Sequence, residues 1–242
     1  MSSTHKPGPA VIAPSMSRRT FLQTGLAAGV LVVGPGGASY ALADLEAMNR
    51  ARATIRPDGR SRLPPHQYLI RKLKPMGGSA GDAAPGHFRL KVHGEVEAPF
   101  TLTFKDLLAM PQNELTCDVH CVTRWSVLDA QFTGVLLKDI AERAKVKKTA
   151  RYVIFEAAKD YTTNVRLREA LAPNVMIAHK HQGKSLSLSH GAPVRAVIPD
   201  LYFWKSAKWL TGIRFSARDE PGYWEVRGYH NHGDPWKDER HG

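Results

Sequence analysis

Cysteine is scarce in this 242-residue chain, which contains only Cys117 and Cys121. No Cys-x-x-Cys-His motif is present, which excludes haem attached covalently through such a motif. Internal repeats and low-complexity tracts are also missing, so a repeat architecture is excluded. The weakly apolar run at residues 24–33 is far shorter than the ~20 apolar residues that a membrane-spanning helix needs.

That short apolar run nevertheless lies in an informative context. It follows the pair Arg18 and Arg19, and small residues at 41–43 offer a cleavage site. This arrangement predicts a twin-arginine export signal over residues 1–43, and therefore a periplasmic protein with no stable membrane anchor after cleavage. An ordinary secretory signal with a positive start is the alternative. Because the twin-arginine route carries folded proteins, we expect a cofactor that is inserted before export.

Positive charge dominates, with a formal net charge of +12 at pH 7. Residues 1–43 contain three basic and no acidic residues, so the remaining 199 residues carry +9 and suffice for one domain with a substantial core. A basic balance can indicate nucleic acid, an anionic membrane or small anions as ligands. No nucleic-acid motif occurs, so small phosphorylated or oxyanionic ligands are favoured; the alternative is a basic surface without a specific ligand.

The chain divides into the signal, an extended arm over residues 44–86 and one domain over residues 87–242. Predicted strands are 88–92, 115–121, 151–155, 175–178, 194–198 and 212–215, and predicted helices are 103–110 (with Thr103 as the cap), 135–141 and 167–171. Strands and short helices mix without regular alternation, which favours an α+β fold over a doubly wound sheet. The aromatic residues at 222–236 are expected to pack back onto the domain.

Both cysteines lie in the predicted strand at 115–121 and would face the same side of it. Their backbones would be ~13 Å apart at ~3.3 Å per residue, beyond the reach of a disulfide, so at least one thiol needs another role. Cys121 ends the strand close to Arg124, whose charge would favour a thiolate, and soft thiolates bind metals. A purely structural thiol is the alternative.

A second cluster is positively charged and rich in turn residues. Residues 189–195 (SHGAPVR) shape a turn that leads Arg195 into a strand, and residues 204–210 (WKSAKWL) place a serine between two lysines. These are donors of the kind that bind phosphate, so the cluster is interpreted as an anion cradle. For either half taken separately, a positively charged turn is the alternative.

Three motifs together resemble the molybdopterin-binding domain of the sulfite oxidase family: residues 121–126 (CVTRWS), 190–195 (HGAPVR) and 205–210 (KSAKWL). The resemblance spans about residues 88–236. It implies a mixed-sheet fold and a molybdenum-molybdopterin cofactor assembled in the cytoplasm. It also implies oxygen-atom transfer on a small sulfur oxyanion, with Cys117 a buried spare thiol.

The resemblance implies a role for each matching residue. Cys121 would be the protein thiolate bound to molybdenum, Tyr161 an active-site tyrosine beside the metal, and Arg124 a candidate to attract an oxyanion. The positions that match the holders of the pterin and its phosphate are His190, Arg195, Ser206 and Lys208, with Lys205 as an addition.

Departures from the family keep alternatives open. Animal sulfite oxidases carry haem and dimerisation domains, whereas this chain ends soon after residue 236, so a separate electron-transfer partner, a cytochrome or a membrane haem protein, is expected. The related methionine-sulfoxide reductases have Glu two places after the metal cysteine, where this chain has Thr123. S-oxide reduction is therefore the alternative activity, and a non-catalytic basic binding protein is the alternative class.

A zinc site at His230 and His232 is weakly indicated by their spacing alone.

Overall fold

The computed structural model describes residues 37–242, with side chains from residue 44 onward. The arginine pair and apolar run of the predicted export signal lie outside the described residues. The first described element is a helix, Gly37–Ala53, so the predicted extended arm is helical at its start. Residues 44–53 are rich in Ala, Leu, Glu, Met and Arg, which favour helices even without a clear apolar stripe. None of the helices in the described part is long and apolar enough to cross a membrane.

Eleven strands form two sheets within the described residues. One sheet contains β2 (Arg89–Gly94), β3 (Phe100–Thr103), β6 (Tyr152–Ala157), β7 (Tyr161–Arg166) and β11 (Leu210–Ser216), in the order β3-β2-β11-β6-β7. The other contains β1 (Tyr68–Leu69), β4 (Asn113–His120), β5 (Trp125–Leu136), β8 (Met176–His181), β9 (Lys184–Ser185) and β10 (Arg195–Val197). Its main order is β1-β5-β8-β10, with β4 paired to β5 and β9 to β8. Both sheets mix parallel and antiparallel pairs, which confirms the α+β prediction.

The short helices differ from the predicted ones mainly at their ends. Phe104–Ala109 is capped as expected, because the Thr103 hydroxyl accepts from the Asp106 amide and the Asp106 carboxylate accepts from the Thr103 amide. The helix predicted at 135–141 is Leu137–Ala144, since Val135 and Leu136 pair with β8 as the end of β5. The third, Leu167–Ala170, matches the predicted turn at 167–171.

Two apolar clusters form the core. The larger joins the five-stranded sheet to the helix Leu137–Ala144, with Leu90, Phe155 and Ile140 fully buried. The smaller lies on the other sheet around Trp125 and Phe132 and includes Cys121. Burial of these side chains supplies the main favourable contribution to folding, and it places Cys121 at the border between core and cavity.

The aromatic C-terminal segment packs back onto the domain, as predicted. The Trp236 ring lies under the guanidinium groups of Arg56 and Arg60, at 4.5 and 3.8 Å from its centroid. Its indole nitrogen donates to the Ser61 carbonyl at 2.7 Å, and its ring meets His120 edge to face. Trp236 therefore joins the residues around 56–61 to the end of the chain.

Candidate active site

A cavity of about 620 Å³ brings together most of the residues that the sequence singled out. Its wall comes from turns and strand ends at residues 74–79, 121–123, 158–161, 189–195, 203–209 and 223–229. The charged lining side chains are Lys74, Lys159, Arg195 and Lys208, and no carboxylate lines this cavity in the described part of the chain. Four cations without a facing acid make the cavity suited to an anionic ligand.

Cys121 reaches this wall from the turn between β4 and β5. Its amide donates to the Trp125 carbonyl at 2.9 Å, and its carbonyl accepts from the Arg124 amide at 3.0 Å. The Gln67 side chain also donates to that carbonyl, at 3.1 Å. Arg124 takes a left-handed conformation (φ 73°), which closes the turn. The position of the Cys121 sulfur is thus fixed by the backbone of a tight turn.

The two thiols have different surroundings, and neither is in a disulfide. Burial raises the pKa of Cys121, while the Thr123 hydroxyl, 3.2 Å from the sulfur, and the charge of Lys74 act in the opposite direction. Burial raises the pKa of Cys117 to about 12, and Cys117 is not part of the cavity wall. Cys121 is therefore the cavity thiol, and a soft metal bound there would displace its proton.

Arg195 is a buried cation whose hydrogen bonds all go to carbonyl groups. Only 2% of it is exposed, and it donates to the carbonyls of Ala196, His190 and Ser206 at 3.2, 3.1 and 2.8 Å. Its guanidinium also stacks on Phe203. Burial lowers its pKa to about 9, and no carboxylate is among its hydrogen-bond or ion-pair partners in the described chain. An uncompensated buried charge is unfavourable, so a bound anion would stabilise this arrangement.

Lys208 lies close to Arg195 and faces the same cavity. Burial, and then repulsion from Arg195, lower its pKa to about 8. Gly191 separates the two side chains, with φ +106°. Arg195, Lys208 and His190 lie around this glycine and form a cationic cradle in the cavity wall. Ser206 also lines the cradle, and its hydroxyl accepts from the Ile198 amide. On these observations the cavity fits a phosphate-bearing cofactor at this end and a metal at Cys121.

Tyr161 also lines the cavity, at the start of β7. Its hydroxyl donates to the Trp204 carbonyl at 2.7 Å, and burial raises its pKa well above the usual value, which keeps the phenol protonated. Its ring begins an aromatic wall formed by Tyr161, Tyr223, Trp224, Tyr229 and Trp204, with successive centroids 4.8 to 5.8 Å apart. Sequence analysis predicted Tyr161 as a site residue but treated Tyr223, Trp224 and Tyr229 only as packing residues, because their clustering around a β-strand end gave no local signal of a site.

Two predicted site residues lie elsewhere. Lys205 is fully buried and its ammonium pairs with the Glu225 carboxylate at 2.6 Å, with further bonds to Asn164 and the Asn231 carbonyl. It does not line the cavity, so its position gives the predicted role in binding the pterin no support. Arg124 is exposed on its turn and is also absent from the cavity wall. Lys74 lines the same cavity as Cys121, and its charge, like the larger effect of Arg240, acts to lower the pKa of that thiol.

The histidine pair near the C-terminus is engaged by carboxylates. His232 lies between Glu169 and Glu239, at 2.8 Å from each, and these contacts raise its pKa. His230 is 3.4 Å from Glu239. The described residues contain no group of three or more potential ligands arranged for a metal ion, so the zinc interpretation has no support there.

Residues 78–224 match the family model described as "Oxidoreductase molybdopterin binding domain". The chain belongs to this family, which is of the sulfite oxidase type, and it is a molybdenum oxidoreductase. It is 44% identical to "Uncharacterized oxidoreductase YuiH" of Bacillus subtilis (strain 168), covering 77% of this chain and 96% of that protein.

One further relative and one solved structure also match the chain. The chain is 30% identical to "Protein-methionine-sulfoxide reductase catalytic subunit MsrP" of Ralstonia nicotianae, over 64% of this chain and 51% of that protein. Among solved structures, the sulfane dehydrogenase SoxCD from Paracoccus pantotrophus matches with a TM-score of 0.54 and 21% identity, over 62% of this chain and 42% of that one. The latter likeness concerns the fold alone.

Proposed function

We propose that the protein is an exported enzyme that uses molybdenum-molybdopterin to transfer an oxygen atom at the sulfur of a small oxyanion such as sulfite. The observation that carries this proposal is one cavity that joins a thiol to four cations and has no acidic side chain in its wall. A thiolate suits molybdenum, and the cations suit the pterin phosphate and an anionic substrate.

The residues divide between the two ends of the cofactor. Cys121 would hold the metal, while His190, Arg195, Ser206 and Lys208 would hold the pterin and its phosphate. When bound, the molybdenum supplies two-electron oxygen-atom transfer. Binding of the pterin phosphate would stabilise Arg195 and Lys208, because an anion reduces their mutual repulsion and the energetic cost of burying Arg195.

Substrate attraction is assigned to Lys74. Its charge acts on the Cys121 sulfur, it lines the cavity, and it is exposed, so it can meet an incoming anion without displacing a partner in the core. A positive charge in the cavity wall attracts an oxyanion and stabilises developing negative charge. The protonated Tyr161 hydroxyl can donate a hydrogen bond in the cavity once released from Trp204.

Reduction of an uncharged S-oxide is the second candidate. The aromatic wall supports it, since sulfur groups make favourable contacts with aromatic rings. The likeness to the methionine-sulfoxide reductase subunit is a further argument. Either reaction needs an electron carrier, which we assign to a separate redox partner, a cytochrome or a membrane haem protein, in the periplasm.

Metal and pterin analysis of the purified full chain tests the proposal. Protein made in cells that synthesise molybdopterin should contain molybdenum and pterin in equal amounts, and protein from cells that do not should contain neither. Assays with artificial electron carriers should then give faster turnover with sulfite than with a sulfoxide. A metal-free preparation under permissive conditions would favour the non-catalytic binding protein instead.

A further inference from the structure

Residues 73–79 form a strap along the cavity. Lys74 and residues 76–79 line the cavity, and residues 74–79 are exposed on their other side. The described contacts include a single main-chain hydrogen bond within the strap, from the Met76 amide to the Lys74 carbonyl at 2.9 Å. The strap therefore depends on side chains from the body of the domain to hold it in place.

Lys208 supplies the first of these tethers. Its ammonium donates to the carbonyls of Met76, Gly77 and Ser189 at 2.6, 2.7 and 3.1 Å. An ammonium has three donors, so all of them are engaged, two by the strap. A phosphate oxygen could bind Lys208 only if at least one of these carbonyls were released.

His190 supplies the second tether. Its Nε2 lies 3.2 Å from the Leu73 carbonyl, and its Nδ1 lies 2.7 Å from the Ser187 hydroxyl. A carbonyl only accepts, so Nε2 carries the proton and Nδ1 accepts from Ser187. His190 is thus also fully engaged, again by the strap, and it too would have to exchange a partner to bind the cofactor.

Two glycines shape the strap. Gly77 and Gly78 have φ +34° and +88°, in the region that glycine adopts at little steric cost. Gly78 packs on the Trp209 ring so closely that a Cβ would lie 2.8 Å from it. The strap is therefore seated against Trp209 without any side chain to anchor it there.

We propose that residues 73–79 are a cofactor-responsive strap: Lys208 and His190 hold it across the cationic cradle, and they release it when they bind the pterin and its phosphate. This inference rests on the proposed function, because it assigns the same two side chains to the cofactor. Closed, residues 76–79 cover the cationic cradle; released, they leave the cradle to the cofactor. Lys74 stays at the cavity mouth to meet the substrate, because the side chain of the neighbouring Leu73 is buried in the core.

Amide hydrogen exchange of a peptide covering residues 73–81 tests the strap directly, in the full chain and without any assay of turnover. In cofactor-free wild type the Met76 amide, which donates to the Lys74 carbonyl, should exchange slowly, and the rates compared are those of this amide. Cofactor-free Lys208→Met should exchange on the order of tenfold faster, because hydrogen bonds from a charged donor are lost. Wild type loaded with the cofactor should approach the rate of that variant.

Lys148→Met, which removes an exposed lysine outside the cavity, is the matched control and should exchange like wild type. If Lys208→Met does not fold, His190→Ala replaces it, since it removes the tether to Leu73 and, on the far side of the ring, the contacts with Ser187 and Ser189. Unchanged or slower exchange in a preparation shown to contain molybdenum and pterin would overturn the strap. Failure of the proposed function would appear separately, as the absence of metal and pterin from that preparation.

Discussion

Arg195 and Lys208 lie on either side of Gly191 so closely that a Cβ at that glycine would be 3.1 Å from the Arg195 Cβ and 3.0 Å from the Lys208 Cβ. Burial and the charge of Arg195 lower the pKa of Lys208, and Arg195 itself is buried, so an anion beside the two side chains would stabilise both. The arrangement gives the anion cradle its physical basis and leads to several measurable consequences.

Gly191→Ala should weaken cofactor retention. The substitution combines an unfavourable backbone conformation with contact against both cations, so it should lower stability by about 1–3 kcal/mol and reduce the pterin content of the purified protein. Gly183→Ala is the control, because Gly183 also has a positive φ but nothing within 4 Å of its Cβ position. Equal pterin content in the two variants would show that the space between the cations does not matter.

The Lys205–Glu225 pair should behave as a structural element, not as part of the cofactor site. Both side chains are essentially unexposed, so Lys205→Met leaves a buried carboxylate and should lower the free energy of unfolding by about 3–5 kcal/mol. Chemical denaturation measures this value. The double variant Lys205→Met with Glu225→Gln should recover part of the lost free energy of unfolding, because it no longer leaves a buried carboxylate. A stable single variant that merely loses pterin would restore the assignment of Lys205 to the cofactor.

The stability of the cofactor-free protein should depend on the protonation of Lys208. Its pKa is lowered from 10.5 to about 8, so between these values the unfolded chain binds more protons than the folded one, and stability rises with pH. Below about pH 8, Lys208 is charged in the folded and in the unfolded chain, so the folded protein carries the full cost of burying that charge near Arg195. Unfolding measured across this window should therefore show a steeper rise for wild type than for Lys208→Met. Parallel curves would contradict the shift.

Lys74→Ala should raise KM for sulfite by about fivefold, which corresponds to ~1 kcal/mol for one partly screened charge. Arg124→Ala should leave KM nearly unchanged, because Arg124 is exposed on its turn and does not line the cavity. Steady-state assays with an artificial electron acceptor give both values. A larger effect for Arg124 would return the oxyanion role to that residue.

Local sequence rules predicted much of the fold. The Thr103 cap depends on neighbours in sequence and is present. The alternation predicted at 115–121 holds only as far as Cys117, because β4 shifts register between Cys117 and Val119 and ends at His120, which is fully buried. The helix near residue 137 was predicted two residues early because Val135 and Leu136 suit either element, and only pairing with β8 makes them strand. The helix at 44–53 was missed because its residues have high helix propensity but no apolar period.

Site residues were predictable where they lie in a motif on one turn. They were less predictable where the direction of the side chain decides whether a residue lines the cavity. Cys121, His190, Arg195, Ser206, Lys208 and Tyr161 all line one cavity. Lys205 and Ser206 are neighbours, yet at the end of a short 3-10 helix, Phe203–Lys205, one side chain enters the core and the other faces the cavity. Lys74 and the strap come from a segment without motif or periodicity, so only the folded chain reveals their position.

The molybdenum content of Cys121→Ser, compared with Cys117→Ser, tests the central claim most directly. Both variants remove one thiol from the same stretch of chain, so general destabilisation affects the comparison little. Cys121→Ser should retain little or no molybdenum and show no turnover, while Cys117→Ser should retain the metal of the wild type and lose only stability. Full metal content in Cys121→Ser, or its loss in Cys117→Ser, would contradict the account.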